Sequence, residues 1–141
     1  MVKFICEKFF DSDGQKNEYN RSLWQRVGTD TIRKQKPNYW VDFIIGILKM
    51  FPNEWDYVIV DDCRFPNEFT RYGEDFNTTT IRINRLDFIS PLTLEQQNHS
   101  SETALDDYYF DYVIECETGL DRLEKEVDKF LDWMEEMDEK I

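Results

Sequence analysis

Asp61 and Asp62 stand side by side at the end of an apolar run, with Arg64 two residues later. Adjacent carboxylates of this kind can hold a magnesium ion, directly or through water, or receive the proton of an attacking hydroxyl. An arginine beside them offers a flat, two-pronged partner for phosphate or carboxylate. Acids in that position could equally end a strand or cap the next turn; the arginine tips the group toward chemistry. Arg21, Gln25, Arg33 and Trp40 form a second set. Arg21 and Gln25 are four apart, so on a helix they share a face and could point into one cleft. An arginine can clamp a phosphate, a glutamine can read a base edge and an indole can stack on a base. By spacing alone Trp40 fits a core position better, and Arg21 stays open. His99 is the only histidine, which excludes a multi-histidine metal site. Followed by Ser-Ser-Glu, it is a phosphate contact or, more simply, a polar helix cap.

These side chains need elements to hold them. The run Tyr57–Val60 is β-branched and aromatic, and predicts a strand buried on both faces, as in a parallel sheet covered by helices. Ligands of such sheets bind just beyond the carboxyl ends of the strands, where Asp61, Asp62 and Arg64 would lie. Upstream, Gln15 to Val27 has helical periodicity with Gly28 as its stop. Met1–Phe10 fits either a strand or a helix. After Pro37-Asn38, Trp40, Phe43, Ile44, Ile47, Leu48 and Phe51 predict a mostly buried helix ended by Pro52-Asn53. Leading straight into the strand, that helix makes half of a βαβ unit.

Downstream, Pro66 suits the first turn of a short helix that Gly73 stops. Thr78–Arg85 reads as a second strand with Ile81 and Ile83 on one face and Arg82 on the other. Leu86–His99 has no clear period and reads as a candidate lid over 85–99. His99-Ser100-Ser101-Glu102 starts a helix, and Asp111–Glu115 is a third strand. Thr118 and Asp121 have capping-box spacing before the final helix, 118–141, whose apolar stripe is Leu120, Leu123, Val127, Phe130, Leu131, Met134 and Met137.

The 141 residues suit one α/β domain, 1–141. An apolar content of 40% argues against disorder, and no run is long enough to span a bilayer. Cys6, Cys63 and Cys116 have no metal spacing, and the start does not read as a signal peptide, so a reducing cytoplasm is expected. The net charge of -13 is concentrated after Ser100, where the local balance is -11. Such a tail repels nucleic acid, whereas the almost neutral first hundred residues could hold a small anion.

Arg21-Ser-Leu-Trp-Gln25-Arg-Val-Gly28-Thr29-Asp30-Thr-Ile-Arg33, followed by Trp40-Val41, resembles a motif of the phage-type deoxynucleoside monophosphate kinases. So does Val60-Asp61-Asp62-Cys63-Arg64-Phe65-Pro66-Asn67-Glu68 with the Thr-Ile-Arg-Ile strand after it. His99-Ser-Ser101-Glu102 and Asp111–Ile114 with Gly119-Leu120 follow in matching order, so the resemblance spans roughly residues 15 to 130. It implies a three-layer P-loop kinase fold with a small, mostly parallel sheet between helices, and transfer of the γ-phosphoryl group of ATP to a nucleotide with magnesium. Arg21, Gln25, Arg33, Trp40, Arg85 and His99 would then hold the acceptor. Asp61, Asp62 and Arg64 would lie at the phosphoryl-transfer end, the two acids holding the metal.

One departure is severe. That family opens on a strand and a Gly-rich loop ending in Gly-Lys, which cradles the ATP phosphates. Here Gly14 is followed by Gln15-Lys16-Asn17, with no second glycine. A smaller departure is Glu115-Cys116-Glu117, where the family often has an asparagine-containing turn. Loss of the loop's donors should largely abolish phosphoryl transfer. It also removes a central strand, whose slot must go to Met1–Cys6, to another chain in a homodimer or protein complex, or to rearrangement. The sequence therefore points to a degenerate or repurposed, phage-derived kinase-like protein of the host cytoplasm, binding a nucleoside monophosphate. Its rivals are a small acidic inhibitor or adaptor, of the kind phages direct at nucleases including CRISPR effectors (an anti-CRISPR), and one piece of a split kinase.

Overall fold

A computed structural model describes residues 1–139; Lys140 and Ile141, the end of the expected 118–141 helix, lie outside them. The chain is α/β, with seven α-helices, a π-helical segment and a two-stranded parallel sheet among the described residues. It divides into two compact units.

The first unit comprises Met1–Asn77 and Thr93–Asp107. It opens on α1 (Val2–Phe9), which settles the ambiguity at the start as helix and removes Met1–Cys6 as a candidate sheet strand. Cys6 is buried against Leu23 and Val27, with Val2, Ile5, Trp24 and Ile32 packed around them. Helix α2 (Glu18–Gln25) begins where the Asn17 side chain accepts the Asn20 amide N–H, satisfying a donor the first turn leaves unpaired. Gly28 does not stop it. The chain continues as a π-helix over Arg26–Arg33, and a Cβ at Gly28 would come 2.9 Å from Val2 Cγ2. The glycine is there for close approach of α1, a role that a reading of glycine as a terminator overlooks.

Helix α3 (Tyr39–Met50) buries a face displaced from the expected one, whose Trp40, Ile44, Ile47 and Leu48 are only half-buried. Val41 and Ile45 are fully buried with Tyr72, whereas Phe43, Met50 and Phe51 are exposed. Helix α4 (Pro66–Gly73) starts on Pro66 and runs to Gly73, as expected. Arg71 ties it to α3 through Asp42 at 2.8 Å, and Lys49 reaches Asp75 at 2.6 Å. Two short helices, α5 (Leu94–Gln97) and α6 (Ser100–Thr103), complete the unit; α5 lies within the expected lid segment.

The expected buried strand at Tyr57–Val60 does not form. The run has no ladder partner, and Tyr57 and Ile59 are 80% and 90% exposed. Val60 alone packs, beside Val41, Ile45 and Tyr72. β-Branched composition specifies a pleated surface but supplies no neighbour to hydrogen-bond it, and this unit contains no strand among its described residues.

The second unit comprises Thr78–Leu92 and the chain from Tyr108 onward. Strand β1 (Ile81–Arg85) pairs in parallel with β2 (Tyr112–Cys116), Ile83 facing Ile114 in the register. The isoleucine face of β1 is its more exposed one, while Arg82 is half-buried with its guanidinium 5.6 Å from the Phe110 ring. Helix α7 (Leu120–Asp138) packs one-sidedly on β2 through Phe130 and Trp133, whose rings lie 5.2 and 5.1 Å from Tyr112. The capping box expected at Thr118 is absent, because the helix N-cap is Gly119. Thr118 instead gives its N–H and hydroxyl to Asp87 at 2.9 and 3.0 Å. No described helix is long and apolar enough to cross a membrane.

Two outcomes follow. Truncating buried Ile45 to alanine should cost about 2–5 kcal/mol in urea unfolding, whereas Ile59→Ala should stay within about 0.5 kcal/mol. The donors from Thr118 hold the Asp87 carboxyl below its ordinary value of 3.8. A lowered folded-state value stabilises above 3.8 and is lost as pH falls through it. The urea midpoints of the wild type and Asp87→Asn should therefore differ at neutral pH and converge in acid.

Candidate functional site

The first unit is tied together by the carboxylate of Glu68, the third residue of α4. Its Oε2 accepts the backbone N–H groups of Arg64 and Phe65 at 2.7 and 3.1 Å, closing the helix start ahead of Pro66. Its Oε1 takes Nη1 of Arg33 at 2.7 Å. Arg33 arrives from the end of the π-helix with a side chain only 9% exposed. The rest of its guanidinium donates to Asn67 Oδ1 and lies 3.6 Å from the centre of the Phe65 ring. Asn67 in turn donates to Asn38 Oδ1 at 2.6 Å, joining the turn before α3.

Arg64 continues the network on the other side. Its Nη1 pairs with Glu102 and lies 3.4 Å from the Ser101 carbonyl, yet half of its side chain remains exposed. His99 caps α6, its Nδ1 accepting the Ser101 N–H at 3.2 Å with Ser101 Oγ at 2.9 Å. An accepting Nδ1 leaves the ring proton on Nε2, which faces Asp30 of the π-helix at 3.5 Å. Trp40 donates its indole N–H to the Gly28 carbonyl at 3.2 Å. A π-helix shifts the backbone pairing register, and carbonyls on its wide turn become available to side chains.

The structure thus brings Arg33, Trp40, Arg64 and His99 into one bonded framework. Arg21 and Gln25 lie on α2, four apart and half-buried. Asp61 and Asp62 are exposed, immediately ahead of the Arg64–Glu68 turn. Their charges, with that of Glu68 and above all burial, push the Cys63 thiol up to about 12, so it is no ready nucleophile. Arg85 belongs to the second unit, at the end of β1, its guanidinium 4.3 Å from the Phe88 ring. Among the described residues no group of three or more His, Cys, Asp and Glu side chains is arranged to hold a metal ion.

Sequence reasoning assigned no part to Glu68, Asn67, Phe65 or Glu102. The available signal for Glu68 was its place three residues after a helix boundary, where a carboxylate can reach back to the N-cap backbone. The chain turns at Gly14. Gly14, at φ +70°, gives its N–H to Ser12 Oγ, which donates to Asn20 Oδ1 at 2.8 Å; the Asn20 amide then donates to Asp13 and the Gln15 carbonyl. The Gly14 and Gln15 N–H groups are thus taken up within the turn itself, by Ser12 and Asp13.

The Glu68 contact makes a direct test. Glu68→Ala leaves Arg33 buried and unpaired, with an expected loss of about 3–5 kcal/mol by chemical denaturation. Asn67→Ala should cost only about 1 kcal/mol. Combining Glu68→Leu with Arg33→Met should recover much of the loss, though not the two backbone N–H groups that Glu68 satisfies.

A family model described as deoxynucleotide monophosphate kinase matches residues 4–127. No curated protein and no solved structure matches the chain.

Proposed function

The chain belongs to the deoxynucleotide monophosphate kinase family, and from that premise we propose that it is a degenerate or repurposed member, binding a deoxynucleoside monophosphate but transferring phosphate poorly on its own. The observation that carries this reading is the framework joining Arg33, Arg64 and His99 through Glu68, Glu102 and Ser101. It places most residues of the acceptor-side motifs in one compact unit, while the sequence contains no Gly-rich loop ending in Gly-Lys.

The side chains divide by accessibility. Arg33 is enclosed, and its part is to position the Arg64–Glu68 turn. Arg64 is half exposed and can exchange Glu102 for a phosphate, a doubly charged and better-matched partner. Arg21 and Gln25 on α2 would contact the nucleotide, with His99 secondary. Asp61 and Asp62 fit a magnesium ion that keeps most of its waters and is shared with substrate phosphates, since one or two carboxylates suffice for that mode. Bound there, the metal would neutralise charge on the transferring group. Without a loop to hold ATP, the reaction lacks the donors that would position its phosphates.

Calorimetry with each deoxynucleoside monophosphate, alongside an ATP-coupled turnover assay, tests both halves. At least one nucleotide should bind and Asp62→Asn should alter its magnesium dependence, with turnover by the chain alone negligible. Rapid turnover would overturn the degenerate reading; absence of binding by every nucleotide would overturn the binding site.

A second reading rests on α7, whose Glu124, Asp128, Asp132 and Glu135 are exposed. A surface of that sign can occupy a basic, nucleic-acid-binding channel of another protein. Charge reversal on α7 would then abolish the biological effect while Arg64→Ala would not.

A further inference from the structure

Tyr57–Val60 has the composition of a strand and the surroundings of an open edge. Tyr57 and Ile59 are 80% and 90% exposed, while Val60 is anchored on the Val41, Ile45 and Tyr72 cluster. Among the described residues its backbone makes no hydrogen bond to another backbone group. An anchored run outside any helix, with N–H and C=O groups not bonded to other backbone, is a template for an added strand. The start of this chain does not supply one, since Val2–Phe9 is helical and buries Cys6.

Charge decides what kind of strand fits. Glu54, Asp56, Asp61 and Asp62 flank the run, and residues 54–62 contain no base. Pairing antiparallel with a second copy, centred between Val58 and Ile59, would set Asp56 opposite Asp61. Parallel pairing in register would set every acid opposite itself. Like charges directly opposite destabilise a strand pair. A self-complementary dimer through this edge is therefore disfavoured, and basic flanks on the added strand are favoured.

We infer that Tyr57–Val60 is a docking edge for an extended apolar segment of another polypeptide, flanked by lysine or arginine. The strand adds along the free backbone and covers Tyr57 and Ile59, and its basic ends meet Asp56 and Asp61. The docking edge does not rest on nucleotide binding, although a basic end at Asp61 competes with the magnesium ion proposed there.

The test uses the full chain and two labelled synthetic peptides of alternating valine and threonine, one with lysines at both ends and one with glutamates. By fluorescence anisotropy the lysine peptide should bind at least tenfold tighter, and more weakly as salt rises. It should slow amide hydrogen exchange at Tyr57–Val60. Ile59→Pro, which removes a backbone donor at an exposed position, should abolish binding while leaving the circular dichroism unchanged. Asp56→Lys should shift preference toward the glutamate peptide. Equal affinity for the two peptides, no binding of either, or binding untouched by Ile59→Pro would overturn the inference. So would a dimer in sedimentation that Ile59→Pro dissolves.

Discussion

The first unit depends on a buried contact between one cation and one carboxylate. Taking Arg33 and Glu68 out of water carries a desolvation cost that their attraction offsets only if the remaining donors and lone pairs are also satisfied. Here they are. Arg33 also meets Asn67 and the Phe65 ring, and Glu68 also receives two backbone N–H groups. The pair joins a π-helix to a helix start 35 residues away in sequence, and thereby sets the direction in which Arg64 leaves the chain. Arg33 and Glu68, one from each of the two motifs suggestive of ligand binding, hold the unit together first.

That contact explains why unit 1 can be ordered without a sheet. In a helix-covered parallel sheet, the strand is the common surface on which helices pack. In this unit α3 and α4 instead meet each other across Val41, Ile45 and Tyr72, reinforced by Arg71 and Asp42. Only Val60 of the strand-like run enters that core. Helix α3 accordingly leaves Phe43, Met50 and Phe51 exposed, a surface its apolar composition alone would have placed inside.

What could be read from the sequence was what depends on neighbours in the chain. Pro66 and Gly73 bounded α4, and the alternation around Ile81 and Tyr112–Glu115 located both strands to within a few residues. Of the apolar stripe of α7, Phe130 packs on Tyr112 but Leu120, Val127, Leu131 and Met137 stay exposed, and Trp133, central to that contact, is not in the stripe. What could not be read depends on distant groups. Gly28 is buried under Val2, Thr118 answers to Asp87, and Tyr57–Val60 lacks a partner that no local pattern could reveal. The site followed the same division. Arg64 and Arg33 were visible as residue types, but the acids that occupy them come from α4 and α6 and were not.

Charge compensation separates the accessible arginine from the structural one. Phosphate can replace a carboxylate on a guanidinium only where the carboxylate can move aside into water. Glu68 cannot, because it would abandon two backbone donors as well as Arg33, and its side chain is only 11% exposed. Glu102 sits on a one-turn helix, and its partner Arg64 is 50% exposed, so water can solvate either group when they part. A surface ion pair of this kind contributes little net stability. Of these two arginines, Arg64 can therefore part from its carboxylate at little cost, whereas parting Arg33 from Glu68 would undo the turn that starts α4.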